Sequence, residues 1–206
     1  MTSDVTTDAR QQPPAEQDDS FRRRLLDGLA ESIAADGYRN TTVAGVVRRA
    51  RTSRRTFYEH FGSKEACYVA LLTDANTHMV AEISSAVDPT LPWADQVRQA
   101  VEAWIACAES EPAITLSWIR DLPSLGDAAR TLQRDLLEEF VTMLRSLWDT
   151  ERWRAAGISP VSRQLAITLL GGLRELIATT VEDGGRIGDI SETAVRASIA
   201  LLRPQP

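Results

Sequence analysis

The chain has 206 residues, with 23 basic and 29 acidic side chains, a formal net charge of −6 and two cysteines. That length buries a sizeable core without disulfide or metal staples, and the longest stretch free of Asp, Glu, Lys and Arg, the ten residues Gln164 to Leu173, falls far short of the roughly 20 apolar residues that span a bilayer. A helical membrane protein and a disulfide-stapled scaffold are therefore excluded, and an N-terminus without a basic start and apolar middle leads to the expectation of a cytoplasmic protein with no membrane partner.

Residues 1–19 are acidic and Pro-containing with almost no large apolar side chains, and a disordered acidic tail is expected there. From Ser20, Phe21, Leu25, Leu29 and Ile33 recur every four residues and predict a helix that Asp36-Gly37 ends. Arg22 to Arg24 fall on its solvent side, for solubility or for a phosphate. Val43, Val46, Val47 and Ala50 follow the helical spacing of one apolar stripe, with Arg48 and Arg49 off it. After a joint at Arg51 and Thr52, Ser53 is placed to cap a third short helix that turns Phe57 inward and carries Arg54, Arg55, Thr56 and Tyr58 outward. Ser63 is a second cap, opening a helix from Lys64 to about Val87. Helices follow at about 92–110, 112–121, 126–153, 160–183 and 190–203, punctuated by Pro, Gly and Ser. No strand alternation or internal repeat occurs, and the expected fold class is all-α.

Net charge has to be read by segment. Residues 20–65 hold nine Arg and one Lys against five acids, while residues 66–206 sum to −7. A basic head on an acidic body favours a single docking orientation on a polyanion.

Three pieces of the head, Gly37-Tyr38 followed by Thr41-Thr42-Val43, the TFYEHF block at 56–61, and Ser63-Lys64-Glu65-Ala66, are specific in this order and spacing. On them, the segment from Phe21 to about Leu72 resembles the N-terminal domain of TetR-family transcriptional regulators. The resemblance implies a three-helix DNA-binding domain at 20–66, with its helix-turn-helix at about 42–61, and a helical effector-binding and dimerisation bundle at 67–206. It further implies a homodimer that binds a near-palindromic double-stranded DNA operator, as a repressor released by a small-molecule effector. Thr42, Ser53, Arg54, Arg55, Thr56, Tyr58, His60 and Lys64 correspond to the family's usual DNA-contacting positions. The arginine forks suit guanine edges, Thr56 a thymine methyl, and Tyr58 and Lys64 phosphates. His60 is equally suited to an internal hydrogen bond. The joint departs from the family, which usually has Gly and then an apolar residue where this chain has Arg51 and Thr52; a left-handed Arg51 would cost on the order of 1 to 2 kcal/mol relative to Gly.

All five tryptophans lie beyond the head. Trp104, Trp118, Phe140 and Trp148 are candidates to line a ligand cavity, against the alternative of ordinary core. No charged cluster is recognisably directed inward, so a largely apolar effector is expected. Leu165, Leu169, Leu173 and Leu176, with Gly171-Gly172 among them, and Val195, Ile199 and Leu202 are candidates for a two-fold four-helix interface, against the alternative of closing their own core. Cys67 and Cys107 lack zinc-ligand spacing and are expected to be buried thiols, with a redox-responsive regulator using Cys67 as an alternative reading. A small helical enzyme using a carboxylate and a histidine is a further alternative, but the sequence has no Gly-rich phosphate loop, nucleophile elbow or metal pair. No catalytic, metal or cofactor site is expected.

Overall fold

The computed structural model describes residues 14–148, 150–158 and 160–203, and all regular secondary structure among them is helical. The first helix, α1 (Pro14–Asp36), begins six residues before Ser20. Pro suits a helix start because its missing N–H is one that the first turn leaves unpaired anyway. Helix thus replaces the expected disorder over residues 14–19, while the rest of that expectation, residues 1–13, lies outside the described residues. Gly37, at φ 74°, ends α1 by donating its N–H to the Ile33 carbonyl at 2.9 Å.

Helices α2 (Val43–Arg49) and α3 (Arg54–His60) pack on α1 through Val46, Val47, Ala50 and Phe57, all buried with Leu25, Leu26, Leu29 and Ile33. The approach of α1 to α2 depends on Gly28. A Cβ there would lie 2.8 Å from the Val46 carbonyl oxygen and 2.9 Å from the Ala50 nitrogen, closer than main-chain atoms tolerate.

The long helix α4 (Lys64–Ala86) joins the two apolar cores. Its first half places Cys67, Tyr68 and Leu72 in the head core, and its second half places Ile83 in the core of the bundle. The bundle comprises α5 (Trp93–Ser110), α6 (Pro112–Arg120), a 3-10 turn at Leu122–Leu125, α7 (Asp127–Trp148), α8 (Glu151–Ala155), α9 (Arg163–Glu182), a second 3-10 turn at Ile187–Ile190, and α10 (Ser191–Leu202). Ile114, Leu122, Leu132 and Leu136 of α6, the first turn and α7 belong to the same apolar cluster as the head. Packing therefore runs across the head–body division expected near residue 66.

Two sequence expectations are corrected here. The helix predicted over 126–153 is broken after Trp148, and α8 starts anew at Glu151. Five residues apart on one continuous helix, Trp148 and Trp153 would point some 140° apart. The break lets both bury: Trp153 stacks on Trp148 with ring centroids 5.2 Å apart and donates its indole N–H to Gln96 Oε1 at 3.0 Å. The second concerns four of the seven residues expected at a dimer interface. Leu169, Leu173, Val195 and Leu202 are buried in the chain's own core, with Leu165, Leu176 and Ile199 packed against it. An amphipathic helix spends its broadest apolar stripe on its own bundle first. What α9 and α10 turn outward is a second strip that includes Ile167, Gly171, Gly172, Ala197 and Leu201.

Candidate nucleic-acid interface and the cavity behind it

Each short helix of the head is capped by a side chain. Thr42 Oγ1 accepts from the Gly45 N–H at 3.1 Å, and Ser53 Oγ accepts from the Thr56 N–H at 3.0 Å. A cap of this kind contributes about 1 kcal/mol, which matters for helices of two turns. Between them Arg51 adopts φ 50°, the left-handed conformation anticipated for the joint. The structure compensates in two ways. Thr52 donates its N–H to the Val47 carbonyl at 3.0 Å, and the Arg24 guanidinium of α1 reaches over to donate to the carbonyls of Ala50 (3.2 Å) and Arg51 (3.1 Å). Arg24 is thus a clamp on the turn.

With Phe57 fully buried, α3 presents Arg54, Arg55 and Tyr58 to solvent; Tyr58 is 57% exposed, unusual for a large aromatic. Arg55 is bonded by Nε to Glu59 Oε1 at 2.9 Å, one helical turn on. Ser53 and Thr56 share a hydroxyl contact at 2.9 Å, which leaves the Thr56 methyl as its free part. On α2, Arg48 is exposed, whereas Arg49 is drawn back to Ser32 Oγ and Asp36 at 3.2 Å each.

Two of the expected DNA-facing residues are engaged inside the head. Lys64 Nζ donates to the carbonyls of Tyr38 (3.1 Å) and Thr41 (3.0 Å) and lies 4.3 Å from the Tyr38 ring centroid. Two of its three donors are committed, so its first task is to hold the loop entering α2. The His60 side chain is nearly buried, with its Nε2 3.6 Å from Asp18 Oδ1 and its ring beside Phe21. Lys64 is thus turned toward the loop between α1 and α2, and His60 toward α1.

Behind the head lies a cavity of about 420 Å³ between α1, α4, α5, α6, α7 and α9. Trp104, Trp118 and Phe140 line it with Ile114, Leu136 and Leu170. Trp148 does not; it is the fourth sequence candidate, and the break after α7 commits it to the Trp153 stack. Arg174 of α9 also lines the cavity, a single charged side chain that the expectation of no recognisable inward charged cluster did not single out. Sequence reasoning missed it, although Leu170, Arg174 and Ile177 share a helical face by spacing.

A polar chain links the cavity wall to the head. Beside the lining residue Trp118, Ser117 donates to Asp121 Oδ2 at 3.1 Å and meets the buried Tyr68 hydroxyl of α4 at 2.8 Å; Arg39 of the head donates to Asp121 Oδ1 at 3.0 Å. Tyr68 in turn stacks on Tyr38, with centroids 4.0 Å apart, next to Lys64. Burial raises the pKa of both tyrosines, so they remain neutral. Cys67 is likewise buried, which pushes its thiol up to about 12 and leaves negligible thiolate for oxidation. That removes the basis for a redox-responsive reading through Cys67. Among the described residues no group of His, Cys, Asp and Glu could hold a metal ion, and no helix is long and apolar enough to cross a membrane.

Residues 25–71 match the family model described as bacterial regulatory proteins, tetR family. The head is a TetR-family helix-turn-helix domain. Two Bacillus subtilis (strain 168) proteins are similar to the TetR-family head and its surroundings, the uncharacterized HTH-type transcriptional regulators YdgC, 33% identical over 58 residues, and YhgD, 27% identical over 82 residues. Those alignments cover 28% and 40% of this chain, and 30% and 43% of the relatives. The chain thus spans less than half the length of the curated relatives it matches. Solved structures extend the likeness of fold to the body. FadR from Bacillus subtilis, solved in complex with stearoyl-CoA, superposes with a TM-score of 0.76 at 13% identity, covering 89% of this chain and 99% of FadR. Salmonella enterica GusR does so with a TM-score of 0.72 at 15% identity, covering 93% and 97%.

Proposed function

We propose that this chain is a ligand-responsive DNA-binding transcriptional regulator that acts in the cytoplasm as a homodimer, repressing from a near-palindromic operator until an effector enters the cavity. The observation that carries this reading is the exposed face of α3. A capped two-turn helix holds Arg54, Arg55 and Tyr58 away from the core on the far side of a buried Phe57, the form that enters a major groove. Arg54 and Arg55 would read base edges, Tyr58 a phosphate, and Thr42 and Ser53 would position the helix starts. Lys64 and His60 act within the head and contribute to DNA binding through its geometry. That FadR, which shares this fold, was solved in complex with stearoyl-CoA supports treating the cavity as the effector site.

The route from effector to DNA runs through α6. A molecule pressing on Trp118 and Ile114 would displace Ser117 and Asp121, and with them the contacts to Tyr68 and Arg39. Paired heads respond to such a shift by changing their separation, which must match one DNA turn, roughly 34–36 Å.

The test is binding to the DNA upstream of the chain's own gene as salt is varied. Specific affinity should fall steeply with salt, and Arg54→Ala or Arg55→Ala should reduce discrimination by about 1–3 kcal/mol at the base each reads. Equal binding to random DNA, or native selectivity in both variants, would refute the assignment.

A further inference from the structure

Arg174 is half-buried on α9 and lines the cavity, yet its guanidinium has no hydrogen bond or ion pair among the described residues. Its neighbour Glu175 does not serve it, because both Glu175 oxygens accept from Arg120, which also holds Glu182. Burial lowers the Arg174 pKa with no carboxylate opposing the shift, but a guanidinium stays charged in any case. A cation left facing apolar walls is costly to keep unless something pairs with it. The same cavity is lined by Trp104, Trp118, Phe140 and Leu170.

We propose that the cavity takes an amphipathic monoanionic carboxylate, its head group paired in bidentate fashion with Arg174 and its hydrocarbon body lying along Trp104, Trp118 and Phe140. The proposal rests on the cavity being the effector site. The planar fork matches a carboxylate. A second negative charge on the ligand is disfavoured by the other charged lining residues: Arg23 is outnumbered by Asp27, Asp74 and Glu111, all on the exposed side of the cavity, and Asp74 already pairs with Arg22. Such a ligand is still largely apolar, as expected from the sequence, but carries a single anionic end.

Calorimetric titration of the full chain with four ligands of equal chain length, dodecanoate, dodecanol, dodecylammonium and dodecyl phosphate, tests this. Dodecanoate should bind tightest, by about 10- to 100-fold over dodecanol. In Arg174→Met that gap should close, and in Arg174→Lys it should shrink, since charge remains but the fork is lost. The unliganded Arg174→Met protein should melt no lower than the native one, which separates loss of the head-group contact from misfolding. Equal affinity for dodecanoate and dodecanol, a gap that persists in Arg174→Met, or no binding by any of the four overturns the proposal. Tighter binding of dodecyl phosphate overturns the carboxylate assignment. DNA binding measured in parallel without ligand reports on the regulatory reading alone: its failure beside a preserved carboxylate preference would remove the regulator and leave the anion site.

Discussion

At Arg51 a side chain occupies backbone space that favours glycine, at φ 50°, and the Arg24 guanidinium from another helix holds the two carbonyls on either side of that residue's strain. Arg51→Gly should therefore raise stability by about 1 kcal/mol, the relieved left-handed cost less the extra entropy of a glycine in the unfolded chain. The Arg24 bonds would survive, since they go to main-chain oxygens. Urea unfolding would show it as a higher midpoint at unchanged slope; an unchanged or lower midpoint would mean that the turn is not strained. The conformation of this joint was legible from two residue types out of place in a recognisable pattern. The roles of Arg24 and Lys64 were not, because both act on main-chain carbonyls 23 to 27 residues away, and carbonyls carry no sequence signature.

Among the elements, α6 is the one that joins the cavity, the head and α9. It gives Ile114 and Trp118 to the cavity, Ser117 and the following Asp121 to the polar chain toward the head, and Arg120 to Glu175 and Glu182 of α9. Tyr68→Phe removes one hydroxyl from that chain and should cost about 1 kcal/mol of stability. DNA affinity without effector should change little, while the effector's influence on DNA binding should shrink by about 0.5–2 kcal/mol. A titration of effector against labelled DNA measures this; full retention of the effect would exclude Tyr68 from the coupling. Helix periodicity located α6 itself at 112–121, close to Pro112–Arg120. Its polar partners could not be read, because Ser117 and Tyr68 are 49 residues apart and meet only once α4 and α6 have packed.

For the whole molecule, the homodimer proposed above would pair through the outer strip of α9 and α10, because Leu169, Leu173, Val195 and Leu202 of the stripe that sequence periodicity singles out are buried in the chain's own core. Ile167 and Leu201 are 38% and 44% exposed, and at Gly171 and Gly172 nothing lies within 4 Å of where a Cβ would stand. Such a strip, apolar with small residues at its centre, lets another helix pair approach closely and is where two copies would meet. Ile167→Glu combined with Leu201→Glu should convert a dimer into a folded monomer, seen as a halved sedimentation mass with helical content retained. A native protein that sediments as a monomer, or a double variant that stays dimeric, would contradict this placement.

Periodicity, caps and the two short arginine-bearing helices already specify an all-α chain with a helix-turn-helix head, because each rests on contacts between residues within a few positions of one another: Ser53 with Thr56, Ser63 with Ala66, Phe57 opposite Arg54 and Arg55. Which of two apolar faces a helix keeps for itself, whether a tryptophan lines a space or fills one, and which charge is left without a partner depended on how distant helices came together. Trp148 went to Trp153 and Leu173 to the inner core, while Arg120 took the carboxylate next to Arg174. The physical reason is that a side chain's burial and pairing are properties of the space between elements, and a linear pattern carries only the directions in which side chains leave each helix.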